Sequence, residues 1–290
     1  MEKLSIILPT YKEPYLNKTI DSLLENTGDV EIIPVIDGCE LIEPIRKDPR
    51  VKPIHLKVNK GMRGAINAGL KVATGKYVMK LDAHCIVGKN FDKIMTDNCA
   101  DNWITVPRRH GLDADNWKRD DKVFIDYHYL DFPKKSSYGY VISPHPLNKR
   151  NGLPIDDIMT FQGSCWMANR KFFMKQVGFL DDNPKTYGNF AGDQLEIGLK
   201  YWLNGGENKV IKKTWYAHFA KLRRHYNSGE YVGTYKRTRS IIPQYTWTAK
   251  HWINNKEPNM KKPFSWFIEK FWPIKNWSSN WQEKWDSYKL

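Results

Sequence analysis

A carboxylate and an imidazole stand two residues apart in the segment YVMKLDAHC. Tyr77–Leu81 is typical of a buried strand, and Asp82 and His84 follow it. Residues i and i+2 of an extended chain point to the same side, so both side chains can aim at one point beyond the strand. A carboxylate oxygen with a neutral imidazole nitrogen suits a divalent ion such as Mn²⁺. The alternative for this pair is a turn aspartate beside a partly buried histidine.

The segments around this pair alternate between strand-type and helix-type patterns. Apolar runs predict strands at 4–8, 31–36, 51–58 and 77–81, and helical stripes predict helices at 16–25 and 61–72. Alternation at this spacing predicts an α/β fold with a mostly parallel sheet and helices on both faces. Ligands of such sheets sit at the carboxyl ends of the strands. Thr10, Asp37 and Asp82 lie at such ends, so we expect them to converge.

The second half of the chain has weaker patterns. Residues 108–160 are rich in Asp, Lys, Pro and Tyr without a clear period, while 193–203 predict a helix and 209–216 a late strand. The last segment, 221–290, holds 14 Lys and Arg against 5 Asp and Glu, which is +9 of the total +14, and 7 of the 12 Trp. We therefore predict one domain over 1–220 and a basic, Trp-rich C-terminal extension over 221–290 that binds a partner or packs on the first domain.

Composition bounds the partners and the compartment. A formal net charge of +14 favours anionic partners such as nucleic acid, anionic lipid or phosphorylated ligands. The four cysteines show no CxxC spacing, which favours reduced thiols over disulfides or a zinc site. No stretch approaches the roughly 20 apolar residues of a membrane span, so we expect no integral membrane segment. We expect a cytoplasmic protein, in the host-cell cytoplasm if it is viral.

The first 220 residues carry blocks that resemble nucleotide-sugar glycosyltransferases of the GT-A fold. The blocks occur in the order SIILPTYKE, VIDG, NKGMRGAINAGLKVATGKYVMKLDAHC, FQGSCWMANRKFFMKQVGFLDD and GDQLEIGLKYWLNGG. The broad resemblance is to family 2 enzymes, and the Asp-x-His motif is similar to that of polypeptide N-acetylgalactosaminyltransferases. The resemblance implies a Rossmann-like GT-A catalytic domain over 1–220, a UDP-sugar as donor substrate, and Mn²⁺ or Mg²⁺ as cofactor.

The resemblance also implies a site, residue by residue. It places the nucleotide-sugar on Pro9, Thr10, Tyr11, Glu13, Asp37, Gly61, Arg63 and Asp82. Of these, Arg63 would offer a forked donor to phosphate. The metal would be held by Asp82, His84 and His218, with His225 as the competitor for the third position. The donor sugar or the acceptor would meet Phe161, Gln162, Gly163 and Trp166. We expect the histidines of the irregular region, His110, His128 and His145, to be exposed to solvent.

The predicted helix at 193–203 carries the catalytic candidates Asp193, Gln194 and Glu196. Many inverting family 2 enzymes have Glu-Asp here, and the Asp is the general base. Aligned on Glu196, this chain has Gln194 at the base position, and an amide cannot take a proton. Either Asp193 is the base after a register shift and the enzyme inverts, or it has no dedicated base and retains configuration, as the Asp-x-His relatives do. Asp193 also suits a helix N-cap.

The basic, Trp-rich extension bears on the acceptor. Cationic side chains neutralise phosphates and aromatic rings stack on unpaired bases. This favours transfer to a hydroxymethylated pyrimidine base in DNA, as in phage-type DNA-modifying glycosyltransferases. One alternative is a cell-surface glycan, lipid-linked or protein acceptor, with the extension as an amphipathic surface for membrane. Another is a non-catalytic nucleic-acid-binding protein of the same fold. The sequence leaves the oligomeric state open.

Overall fold

The computed structural model describes residues 3–136, 139–149, 151–190, 192–219 and 241–288. The strands are β1 (Leu4–Thr10), β2 (Val30–Asp37), β3 (Ile54–Leu56), β4 (Tyr77–Leu81), β5 (Cys85–Val87), β6 (Trp103–Asp113), β7 (Lys118–Ile125), β8 (Tyr127–Leu130), β9 (Lys134–Ser136), β10 (Gly139–Val141), β11 (Pro144–Leu147), β12 (Ile155–Asp157), β13 (Cys165–Asn169) and β14 (Glu207–His218). The helices are α1 (Leu16–Asn26), α2 (Gly61–Val72), α3 (Phe91–Asp97), α4 (Arg170–Gln176), α5 (Asp193–Asn204), α6 (Ile241–Ile253), α7 (Phe264–Lys270) and α8 (Trp281–Asp286). The α/β class predicted from the sequence is confirmed.

A mixed sheet forms the centre of the described residues, in the order β12-β14-β6-β13-β4-β1-β2-β3. Strands β4, β1, β2 and β3 are parallel, as the sequence predicts. Strand β13 then lies antiparallel between β4 and β6, while β14 runs parallel to β6. The parallel arrangement therefore holds for the first half of the sheet, and the second half mixes both directions.

Helices cover both faces of this sheet because the side chains of each strand alternate between them. On β1, Ile7 packs in one buried cluster with Ile66 of α2, while Ile6 packs in the other with Ile20 of α1. The close approach of α2 needs a glycine, since a Cβ on Gly69 would lie 2.4 Å from Cγ2 of Ile7. These two apolar layers fix the strand ends that carry Thr10, Asp37 and Asp82.

The described residues of 108–160 include extended hairpins, where the sequence pattern led us to expect an irregular segment. Strand β7 folds back on β6, and β8 pairs with β11. Polar pairs hold these strands together where an apolar period is missing. The Arg108 guanidinium, for example, donates two hydrogen bonds to Asp126, with its Nε 2.8 Å from Oδ1.

The described part of the C-terminal extension packs on α5. Leu195, Leu199 and Trp202 of α5 face a buried aromatic cluster formed by Trp252, Phe264, Phe267, Trp277, Trp281 and Trp285. Three indole nitrogens of this aromatic cluster donate hydrogen bonds inside the protein, those of Trp252, Trp277 and Trp285; Trp277 Nε1, for example, donates to the Leu130 carbonyl at 2.7 Å. Of the two roles expected for the extension, packing is the one these side chains perform. No helix in the described part of the chain combines the length and apolarity needed to cross a membrane.

Candidate functional site

Three side chains that could ligate a metal converge beyond the carboxyl end of β4. The Nε2 atoms of His84 and His218 lie 3.1 Å apart, and His218 Nε2 lies 3.0 Å from Oδ2 of Asp82. One ligand atom from each residue falls within 4.8 Å of the other two. The sequence prediction of this trio, with His218 as its distant member, matches this geometry. The competitor, His225, lies outside the described residues.

The pairing of β5 with β14 brings the two histidines together across 134 residues of chain. His218 pairs with Cys85, the residue after His84, and the Phe219 amide donates to the His84 carbonyl at 3.1 Å. A bulge in β14 between Ile211 and Trp215 shifts its register on β6 before the histidine is reached. Bulges of this kind re-aim side chains near functional sites.

Glu13 orients one of the imidazoles. Its Oε2 lies 3.0 Å from Nδ1 of His84, so that Nδ1–H donates to the carboxylate and the Nε2 lone pair points at the cluster. A carboxylate behind a ligating histidine is the usual outer support of protein metal sites. The resemblance places Glu13 at the nucleotide, whereas the structure places its carboxylate against His84.

The protonation states also fit a divalent ion. Burial lowers the pKa of His218 to about 3, with the Asp82 carboxylate opposing this fall, so its imidazole is neutral. Burial would raise the pKa of Asp82, but Lys80 and the two histidines outweigh it and hold the pKa well below its ordinary value. The donor set is therefore one carboxylate and two imidazoles, which are ligands that Mn²⁺ accepts.

Lys80 is a residue of this site that the sequence analysis missed. Its side chain is 1% exposed, and its Nζ contacts Oδ1 of Asp82 at 2.5 Å and the carbonyl of Gly163. Burial would lower the pKa of Lys80, but the carboxylates of Asp82 and Asp193 raise it above its ordinary value. The signal was available, because the i, i+2 rule that joins Asp82 to His84 also joins Lys80 to Asp82.

Asp193 begins α5 and is 1% exposed. Its Oδ2 accepts a hydrogen bond from Trp166 Nε1 at 3.0 Å. A Cβ on Gly163 would lie 2.3 Å from Asp193 Oδ1, so only glycine fits between this carboxylate and Lys80. Trp166 and Phe161 are themselves buried in the core, which differs from the expectation that they meet sugar or acceptor. Gln162 is half-buried and keeps that expectation open.

Arg63 and Glu196 form a buried ion pair. Both side chains are fully buried, and Arg63 Nη2 contacts Glu196 Oε2. Arg63 Nε donates to the Asp181 carbonyl at 2.7 Å, and Lys200 Nζ reaches the second oxygen of Glu196 at 2.8 Å. The expected fork from Arg63 to phosphate is therefore not present here, because the guanidinium is directed at protein groups. Gln194, beside this pair, is also buried.

The remaining residues predicted to bind the nucleotide lie at the ends of β1 and β2 and at the start of α2. Thr10 ends β1 and pairs with Ile36 of β2, next to Asp37. The Asp37 carboxylate accepts a hydrogen bond from the Lys60 amide at 2.7 Å, just before Gly61 opens α2 with a φ of +79°. The two further residues of this group are a buried Pro9 within β1 and a half-buried Tyr11 after it.

The other histidines of the hairpin region divide by burial. His110 and His128 are 8% and 9% exposed, so the expectation that they are solvated is wrong. Burial lowers the pKa of His128 to about 3. His145 is exposed as expected. Arg109 lies close enough to His218 and His128 to lower the pKa of both. It is not among the residues predicted from the sequence.

Comparison with known proteins defines the family. Residues 5–178 match the model of glycosyl transferase family 2, which covers more than half of the chain. The chain belongs to glycosyl transferase family 2. This family 2 protein is 36% identical over 110 residues to the uncharacterized glycosyltransferase EpsJ of Bacillus subtilis (strain 168), covering 35% of the chain and 32% of the relative. It is 26% identical over 221 residues to human polypeptide N-acetylgalactosaminyltransferase 10, covering 71% of the chain and 36% of the relative.

A solved structure supports the fold of this family 2 protein. The crystal structure of GalNAc-T7 with UDP, GalNAc and Mn²⁺ is similar with a TM-score of 0.66 and 18% identity, over 88% of this chain and 50% of that chain. The GT-A fold predicted from the sequence is thereby confirmed. The family 2 protein spans about a third of the length of the two curated relatives, 32% and 36%.

Proposed function

We propose that this protein is a metal-dependent glycosyltransferase that moves a sugar from a UDP-sugar to a hydroxyl acceptor. The observation that carries the proposal is the convergence of Asp82, His84 and His218 at the carboxyl end of β4 in a family 2 fold. The structural neighbour GalNAc-T7, crystallised with UDP and Mn²⁺, supports the same donor nucleotide and ion for this chain. Mg²⁺ is the second choice for the ion.

The side chains divide the work between metal, nucleotide and scaffold. Asp82, His84 and His218 would hold the ion, which when bound neutralises charge on a diphosphate leaving group. Glu13 fixes the direction of His84. We place the uridine at the ends of β1 and β2. The remaining residues of this proposed nucleotide pocket are Pro9, Thr10, Tyr11, Asp37 and Gly61.

Hydrolysis of the donor tests the core of this proposal without an acceptor. The purified protein is expected to hydrolyse a UDP-sugar only when Mn²⁺ or Mg²⁺ is present, across a panel of donors. Asp82→Asn keeps the shape of the side chain but removes its charge, and the expected loss is about 100-fold or more, as for other preorganised charge-stabilising groups. The matched control is Asp97→Asn, an exposed aspartate of α3 paired only with Lys93 among the described residues. Equal rates in Asp82→Asn and the wild type would refute the proposal.

For the acceptor, we propose a hydroxymethylated pyrimidine base in DNA, which would place the enzyme in the cytoplasm with its substrate. Charge supports this proposal, since residues 221–290 contribute +9 of the net +14 and cations neutralise phosphates. Base stacking by the tryptophans of the aromatic cluster does not support it, because their side chains are buried on α5. Trp272, which is 43% exposed, is the described tryptophan of the extension best placed to meet an unpaired base.

A protein hydroxyl is the second candidate acceptor. It is favoured by the curated relatives that are polypeptide N-acetylgalactosaminyltransferases at about a quarter identity, 26% for the human enzyme. A membrane-facing role of the extension is less favoured, since Phe264, Phe267 and Ile268 point into the protein. A non-catalytic role is less favoured because the complete metal-type cluster is present.

Mass spectrometry separates these acceptors. The protein, Mn²⁺ and a panel of UDP-sugars are incubated with duplex DNA containing hydroxymethylcytosine or hydroxymethyluracil, and in parallel with Ser- and Thr-rich peptides. A glycosylated nucleoside supports the DNA acceptor. If the peptides are glycosylated and the DNA receives no sugar, the acceptor is a protein hydroxyl instead of DNA. The glycosyltransferase proposal then still stands.

We propose further that transfer retains the anomeric configuration. Asp193 would be the base of an inverting reaction, but its carboxylate is 1% exposed and accepts the Trp166 indole N–H. Its neighbour Gln194 cannot accept a proton in its place. The product's anomeric configuration, read by NMR on the first active donor, decides: inversion would restore Asp193 as the base.

A further inference from the structure

A fully buried lysine sits directly behind the proposed metal ligands. Lys80 occupies β4, which is otherwise apolar, and burying an ammonium without partners is strongly unfavourable. Here Nζ contacts Oδ1 of Asp82 at 2.5 Å and the backbone carbonyl of Gly163. Gly163 in turn leaves no room for a side chain beside Asp193. Lys80 is thus held by its place in β4, by the Asp82 carboxylate and by the backbone carbonyl of Gly163.

The contact divides the two oxygens of Asp82 between different partners. Oδ1 is taken by Lys80, while Oδ2 lies 3.0 Å from His218 Nε2 and 3.8 Å from His84 Nε2. Only one carboxylate oxygen is therefore directed at the cluster. Lys80 sets this orientation, which favours one Asp82 oxygen as a ligand over bidentate binding.

Lys80 also changes the charge that a divalent ion meets. The carboxylate of Asp82 is balanced by the ammonium beside it, and the imidazoles ligate as neutral rings. Among the described residues, Glu13 lies against His84 and Arg109 lies within electrostatic range of His218, and these two groups have opposite charges. Within the described part of the chain, Asp82 is therefore the proposed ligand that carries a negative charge, and the ammonium of Lys80 offsets that charge at 2.5 Å. A fixed positive charge this close repels a divalent cation, and weakly screened charges in a buried site act strongly.

We propose that Lys80 is a positioning residue that makes ion binding at Asp82, His84 and His218 depend on the diphosphate of the nucleotide. This inference rests on the proposed function and deepens it. The protein alone holds the ion weakly because Lys80 offsets the charge of Asp82. The diphosphate supplies the missing negative charge, so ion and nucleotide bind together. Linkage requires the effect to be reciprocal: the ion tightens UDP by the same factor that UDP tightens the ion.

Mn²⁺ binding, followed by electron paramagnetic resonance of the free ion, tests this on the full chain. In the wild type we expect Mn²⁺ to bind at least 10-fold more tightly with saturating UDP than without nucleotide, and uridine, which lacks phosphate, to give no tightening. Lys80→Met removes the charge, so we expect Mn²⁺ alone to bind about 10-fold more tightly and the effect of UDP to shrink. Lys80→Gln keeps a hydrogen-bond donor for Asp82 and Gly163 and is expected to change in the same direction.

The control is Lys93→Met, an exposed lysine of α3 that pairs with Asp97. It should leave Mn²⁺ binding and its dependence on UDP unchanged. Circular dichroism establishes that each variant is folded, and Lys80→Gln carries the comparison if Lys80→Met does not fold. The proposal is overturned if UDP leaves wild-type Mn²⁺ affinity unchanged, or if folded Lys80 variants keep the full effect of UDP. A wild type that binds no Mn²⁺ with or without UDP would overturn the proposed function as well, so the two failures are distinguishable.

Discussion

The two surroundings of helix α5 differ in how they are held together. Around its first turn, Asp193 and Glu196 lie among buried charges and hydrogen bonds, each with a specific partner. Further along, Leu195 and Leu199 face the aromatic cluster, where packing of apolar surface dominates. Charged groups need a particular partner at a particular distance, whereas apolar surface needs only to be covered. We therefore expect the aromatic cluster to govern stability and the charged surroundings to govern chemistry.

The largest effect on stability is expected in the aromatic cluster. Phe267→Ala removes a fully buried ring and should lower the free energy of unfolding by about 3–5 kcal/mol. Mn²⁺ affinity of the folded protein, measured at low temperature, should stay within about 2-fold of the wild type, since this side chain lies in the aromatic cluster. Chemical denaturation measures the change in the free energy of unfolding. A folded variant that has lost Mn²⁺ binding would contradict the division between the two regions.

A smaller loss is expected where the two regions meet. Glu196→Gln leaves the buried Arg63 guanidinium without its ionised partner and should cost about 3 kcal/mol of stability. Because Glu196 also anchors the start of α5 beside Asp193, donor hydrolysis should fall in the folded variant. Thermal unfolding and hydrolysis assays measure the two effects. Glu25→Gln, an exposed change on α1, is the control and should alter neither.

The amino end of the sheet offers a test by pH. Burial would raise the pKa of Glu31, but hydrogen bonds from Ser5, Thr74 and Lys52 lower it to about 2 from its ordinary value of 4.5. The unfolded chain therefore binds a proton before the folded one does, and stability should be constant above about pH 4.5 and fall between pH 4.5 and 2. Glu31→Gln should lose about 2 kcal/mol at neutral pH and flatten this part of the profile. An unchanged acid profile in urea titrations would contradict the assignment.

The smallest effect is expected at the exposed edge of the extension. Trp272 is 43% exposed, so Trp272→Ala should change stability by less than about 0.5 kcal/mol. If the DNA acceptor is right, retention of DNA on this variant should weaken while donor hydrolysis stays constant. Gel-shift titrations at fixed salt measure the retention. Equal retention would remove Trp272 from the proposed acceptor surface.

The regular half of the fold follows from the sequence because its signals are local. The predicted helix at 61–72 and strand at 77–81 coincide with α2 and β4, since apolar spacing and a glycine start mark them directly. The hairpins within 108–160 were missed because polar cross-strand pairs such as Arg108 with Asp126 replace an apolar period. A sequence shows that a charge exists but not its partner far along the chain.

The candidate site shows the same limit. Asp82 and His84 could be paired by the geometry of an extended strand, and His218 came from family resemblance. The family resemblance implied Arg63 at phosphate, and its observed partner, Glu196, is 133 residues away and invisible to local reasoning. A single lysine inside an apolar run carries no periodic signal, so the i, i+2 rule that joins Lys80 to Asp82 is the one signal that could have found it. The roles of the predicted site residues and the boundary at 220 remain predictions.

The pairing of β5 with β14 has a consequence for biosynthesis. Residues 82 and 84 leave the ribosome long before residue 218, which arrives only with the final residue of β14. A nascent or prematurely terminated chain without β14 lacks one imidazole and the strand that seats it. Such a chain cannot assemble the three-ligand cluster, so competence to bind metal is conferred late in translation and marks polypeptides that have been completed at least through that strand.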